Sequence, residues 1–303
     1  MVFVYNISAV LVYAIGAVLA SVIAAVFYLA GHIFNNPQYQ AQGKYNVYQV
    51  IINTIYFVMA LVIINIFLFG VLPSMIGGND PYVYIYSFFT ELFFKRIPQA
   101  LGKVVGSLAA VQLLNGLVSL NVGQGFIRTT IVDFSLINRL ITFLVMVISP
   151  LLGSIYVQFL VVALINSYAI QVILPVGFVL RMFDLTKKAG NFILAVGISG
   201  CTIFILMYVL NAYIVNTMLY SEEFEQTTIA SMESALNFVK WYEWLVPFLA
   251  LVGVMFEKLF ILIMRFIFSI VIVLFQGIFM PSFAIVVTTT SINSFMKWFE
   301  SFG

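Results

Sequence analysis

Four charges crowd into the eight residues 181–188, Arg181, Asp184, Lys187 and Lys188, inside an apolar stretch that resumes as soon as they end. A guanidinium and two ammonium groups in one short turn suit anions. Arginine offers a planar fork that matches a carboxylate or phosphate bidentately, and lysine offers a compact point charge. Pro175 and Gly177 precede the charges and Gly190 follows them. Proline fixes φ and glycine admits close approach, so the stretch predicts a shaped turn that docks a cytoplasmic ATPase or DNA phosphates through Arg181, Lys187 and Lys188. The simpler use of the same charges is orientation, because basic residues beside apolar spans collect in the cytoplasm. A second set, Glu257, Lys258 and Arg265, lies within the apolar run 245–287, where unpaired charge is expensive. Lys258 and Arg265 are seven residues apart and share a helix face, while Glu257 points about 100° away. That pattern suits either a polar stripe lining a conduit or a charged hinge between two helices. Gly102, Gly106 and Ala110 repeat at four-residue spacing, which predicts a ridge where two helices pack closely.

No catalytic set can be assembled. His32 is the only histidine and Cys201 the only cysteine, so neither a histidine or cysteine metal cluster nor a Ser-His relay is available. A phosphate-cradling glycine loop ending in Lys-Ser or Lys-Thr is also missing. The expectation is a non-enzyme without cofactor or metal, whose energy comes from a partner or a gradient. A net charge of +2 is too small for holding duplex DNA by counterion release alone.

The elements that must position these residues are membrane spans. Of 303 residues, 63% are hydrophobic and 8% charged, against about 25% charged in soluble domains. Apolar runs long enough to cross a hydrocarbon layer of about 30 Å recur along the chain, and they do not alternate as barrel strands do. The fold class predicted is all-α: one polytopic transmembrane helical bundle over residues 1–303, in the plasma membrane, with six or seven spans. Spans are expected at 7–33, 49–75, 101–122, 151–174 and 192–218, with one or two more in 245–287. Residues 82–97, aromatic and with Glu91 and Lys95 one turn apart, read as an amphipathic helix in the membrane interface. The 45 apolar residues 136–180 would make a helix of roughly 67 Å, so a break is expected at Pro150 and Gly153. With the charged turn inside, counting spans places the amino terminus inside too, and the acidic loop of Glu222, Glu223 and Glu225 outside.

The order LPxGxxLRxFxxTKKAG, followed by a glycine-spaced span and a closing helix that contains FMPSFAIVVTTTSINSF, resembles the CedA-like polytopic proteins of the crenarchaeal DNA-exchange system. Those are in turn similar to the polytopic inner-membrane subunit of conjugative type IV secretion machines. The likeness is carried by Leu174, Pro175, Gly177, Arg181, Phe183, Lys187, Gly190 and, more weakly, Pro281. It implies a channel or scaffold subunit of a DNA import apparatus that oligomerises in the lipid bilayer and works with small membrane subunits and a hexameric cytoplasmic ATPase. Two other readings stand beside it. A secondary transporter for a small solute would show related halves and interrupted helices. An assembly platform for a surface filament would ordinarily need larger cytoplasmic segments.

Overall fold

The computed structural model describes residues 2–99, 102, 106, 135–219, 271 and 273–301. Every regular element among them is helical. Helix α1 is Val2–Ile33. Helix α2 starts at Pro37, passes a wide turn at Phe67–Val71 and ends at Met75. Helix α3, Pro81–Glu91, continues into a wide turn at Leu92–Arg96. Helix α4 is built of Ser135–Leu164, a wide stretch Ile165–Ile173 and Leu174–Arg181. Helix α5 follows as Lys187–Ser199, a wide turn Gly200–Phe204, Ile205–Ile214 and a final wide turn Val215–Leu219. Helix α6 opens on the wide turn Phe275–Phe279 and runs Met280–Ser301. Five segments are long and apolar enough to cross a membrane: Ile7–Ile33, Pro37–Met75, Met146–Arg181, Lys187–Thr217 and Phe275–Ser301. The described chain is thus all-helical, with several helices that could span a membrane.

Local chemistry sets the ends. Asn35 takes the left-handed conformation, φ 48°, and closes α1. Asn36 is extended, its side-chain oxygen accepts from Gln38 N at 2.9 Å, and Pro37 fills the first helical position of α2, so three residues reverse the chain. Gly77 and Gly78, both at positive φ, stop α2. Asp80 then caps α3 by accepting from Tyr82 N and Val83 N, with Pro81 next to it. The second span therefore begins at Pro37, twelve residues before the predicted 49. Caps at both ends explain why: the polar start of α2 is as helical as its apolar body.

The break expected at Pro150 does not occur. Helix α4 runs through it from Ser135 to Leu164. Proline removes one backbone bond, but in lipid any fuller break would strand several unsatisfied groups, so the helix absorbs the loss. Four other prolines are accommodated differently, by wide turns in which backbone bonds reach five residues back. Those at Phe67–Val71, Leu92–Arg96, Ile165–Ile173 and Phe275–Phe279 each end two residues before a proline, at Pro73, Pro98, Pro175 and Pro281. A proline ring pushes against the carbonyl four residues back, and widening that turn relieves the clash.

The chain divides into two compact units. The first is Met1–Tyr86, Gln158–Asn211 and Ser282–Gly303; the second is Ser87–Val157 and Ala212–Pro281. In the first, α1 lies along α2, and both contact the end of α4. The seam is made of small residues: Ala9, Ala20 and Ala24 are buried, Gly16 faces Val179, and Gly43 faces the backbone of Tyr28. Tyr13 stacks on Phe57, which meets the edge of Phe178. In the second, Gly277 packs on Leu151, and Ser154 Oγ donates to the Gly277 carbonyl oxygen at 2.6 Å. That carbonyl is the one Pro281 leaves without its helical donor, and the serine supplies the replacement.

Candidate functional site

The charged stretch forms a tight helical hairpin. Leu174–Arg181 descends to a turn at 182–186, and Lys187–Ser199 returns. Thr186 Oγ1 donates to Leu180 O at 2.7 Å and Gly190 N to Thr186 O at 2.8 Å, which ties the turn to both helices. The two glycines set how closely those helices meet. A methyl group on Gly190 would lie 2.6 Å from Arg181 N and 2.8 Å from the Gly177 carbonyl oxygen. One on Gly177 would lie 2.8 Å from Leu194 Cγ and 3.0 Å from Leu194 N. Pro175 is buried at the start of the descending segment, just past the wide stretch. The residues that shape the turn thus sit together at one crossing, where backbone packs on backbone.

The three cations do not share one exposed surface. Lys188 is exposed and Lys187 half-buried, whereas Arg181 is turned inward and only 4% exposed. Its Cζ lies 5.6 Å from the Tyr56 ring centroid and 5.3 Å from that of Phe299. The two lysines stay toward the surface and the arginine is taken into the interior, because aromatic rings on α2 and α6 cover the guanidinium. Tyr56 and Phe299 are neighbours of Arg181 that sequence reasoning missed. Nothing local in the sequence points from either ring to Arg181.

The hairpin also fixes which helix ends lie together. Gln42, in the second turn of α2, donates to Asp184 in the α4–α5 turn at 3.4 Å. Arg181 meets Tyr56 of α2 and Phe299 near the end of α6. The α1–α2 turn, the charged turn and the end of α6 are therefore at one end of the first unit, and the start of α1 is at the other. This overturns the expectation that the amino terminus and the charged turn share a side. Span counting failed because it carried parity through residues 100–150, where the number of crossings was undecided. The shared end carries Lys44, Arg181, Lys187, Lys188 and Lys297 against Asp184 and Glu300.

Other buried polar groups are linked along the helices. Tyr208 Oη bonds Gln158 Oε1 at 3.1 Å, and Ser199 Oγ meets Ser291 Oγ at 3.2 Å. In the second unit, Arg96 places Nε and Nη2 3.0 and 2.9 Å from Glu91 Oε1, and Nη2 is 2.9 Å from Asn216 Oδ1. The expected Glu91–Lys95 pair is looser, at 4.0 Å. The wide turn Leu92–Arg96 explains the exchange, since it brings the fifth residue rather than the fourth under Glu91.

Gly102 and Gly106 have no described neighbour within 4 Å of an added methyl, and Ala110 lies outside the described residues. Glu257, Lys258 and Arg265 lie outside them too, as does the acidic loop. Among the described residues no group of histidine, cysteine, aspartate or glutamate could hold a metal ion. Compared with known protein families, curated proteins and solved structures, the chain matches none of them.

Proposed function

We propose that the chain is a membrane-embedded channel or scaffold subunit of a DNA translocation apparatus driven by a partner ATPase. The observation that supports this most is that Pro175, Gly177 and Gly190, which carry part of the resemblance to CedA-like proteins, build one close-packed crossing beneath a basic turn. An orientation signal needs charge but no such crossing. The basic end of the first unit, five cations to two carboxylates, is assigned to the cytoplasm by the positive-inside rule. Lys187 and Lys188 would then face an ATPase or the phosphates of entering DNA, and small membrane subunits would cover the apolar helix faces. Deleting the chain in its host should abolish DNA uptake. Replacing Lys187 and Lys188 together by glutamine should lower uptake at normal membrane abundance and reduce co-purification of a cytosolic ATPase. Full uptake in the deletion strain overturns the DNA reading.

The wide turns before Pro73, Pro175 and Pro281 favour a second reading, because transporters bind solutes where spanning helices are interrupted. The same deletion separates the two. A transporter subunit would leave DNA uptake intact and change solute accumulation.

A further inference from the structure

Arg181 is the cation of the turn that the fold takes out of water, and no described residue gives it a counter-charge. The residue is 4% exposed, with its guanidinium near the rings of Tyr56 and Phe299. Among the described residues no hydrogen bond or ion pair reaches the guanidinium. Asp184, the nearest carboxylate in sequence, is engaged by Gln42 instead. Aromatic faces attract a cation but accept the five N–H groups of an arginine only weakly. An arginine at the end of an apolar span, so placed, is under-compensated. Asn191, next to the Gly190 that touches the Arg181 backbone, is also buried, with an amide oxygen that meets no donor.

We infer that the free edge of this guanidinium holds the phosphate of an acidic phospholipid headgroup. The fork of N–H groups matches two phosphate oxygens. The position matches as well, because headgroup phosphates lie where apolar spans give way to charge. The neighbouring helices favour a lipid over a nucleic acid or a free phosphate. Ile51, Ile55 and Met59 of α2 are exposed and aliphatic, which suits acyl chains, and Tyr48 and Trp298 are exposed amphipathic rings of the kind that sit at headgroup level. The inference does not rest on the DNA reading, since a lipid site would serve a translocation subunit and a solute transporter alike.

The test uses the full chain purified in mild detergent, with phosphatidylglycerol, phosphatidylcholine, inorganic phosphate and a short DNA oligonucleotide as probes. Phosphatidylglycerol should raise the Tm and remain bound in native mass spectrometry, and phosphatidylcholine at the same concentration should do neither. Arg181→Gln should weaken phosphatidylglycerol binding by about ten-fold or more, and Arg181→Lys should lose most of it because lysine lacks the fork. Lys44→Gln, a cation lost from the same end, should leave it unchanged. Equal effects of the two lipids overturn the inference, as does unchanged binding in both Arg181 variants. Displacement by equimolar inorganic phosphate would make this a free-phosphate site. Arg181-dependent binding of the oligonucleotide without lipid binding would make it a nucleic-acid site. If neither Arg181 variant folds, a photoactivatable phosphatidylglycerol must label the wild type near Tyr56 or Phe299, and labelling confined to other segments overturns the inference.

Discussion

At the residue scale the hairpin depends on two hydrogen atoms. Gly190 faces backbone atoms of Arg181 and Gly177, which are unable to rotate away, whereas Gly177 faces chiefly the side chain of Leu194. Gly190→Ala should therefore destabilise the protein by about 1–3 kcal/mol, the usual cost of overpacking, and Gly177→Ala by less. Thermal unfolding in detergent measures both, and the reverse order would contradict the close crossing. Gly102→Ala meets no described neighbour and should leave the Tm unchanged or slightly raised, as alanine favours helix. If Gly102 packs against a partner subunit, the same change would break an oligomer without lowering the stability of the chain.

At the element scale four prolines are coupled to wide turns, while the wide turns Gly200–Phe204 and Val215–Leu219 stand without one and Pro150 sits in regular helix. Each proline at 73, 98, 175 and 281 removes a backbone donor, and the turn before it widens. At Pro281 the carbonyl set free, that of Gly277, is taken by Ser154. Ser154→Ala should thus cost about 1–3 kcal/mol by orphaning a buried acceptor. In a Pro281→Ala background the alanine N–H supplies the helical bond, and Ser154→Ala should cost about 1 kcal/mol less. A double-mutant cycle on unfolding free energy tests this, and strict additivity would sink it. Pro175→Ala should let Ile165–Ile173 tighten, turning Gly177 away from Leu194 and loosening the hairpin. Faster trypsin cleavage at Lys187 and Lys188 would report that loosening.

At the scale of the whole molecule the arrangement of helix ends predicts which loops share a side. Asn36 and Asp184 belong to turns at one end of the first unit, and Asn79 follows the far end of α2. In a Cys201→Ser background, single cysteines at Asn36 and Asp184 should resist a membrane-impermeant maleimide on intact cells and react after permeabilisation. A cysteine at Asn79 should react at once. Opposite behaviour at Asn36 and Asp184 would overturn the placement of both turns at one end, and with it the reversal of the amino terminus.

What the sequence determined by itself is what short-range chemistry controls. The helical class follows from hydropathy, because a backbone in lipid must bond to itself. The α1–α2 turn follows from Asn35, Asn36 and Pro37, and the cap of α3 from Asp80 and Pro81, since each acts on neighbours within a few residues. The charged hairpin was legible for the same reason: Pro175, Gly177, Gly190 and the charges lie in one stretch. Only the tertiary structure decided that Arg181 is buried, because the rings that cover it come from α2 and α6. Only there did Arg96 displace Lys95 as the partner of Glu91, through a turn that widens ahead of Pro98. The direction of the first helix was likewise a tertiary matter. Hydropathy is blind to the parity of crossings across an ambiguous run, and the contact of Gln42 with Asp184 settles which ends meet.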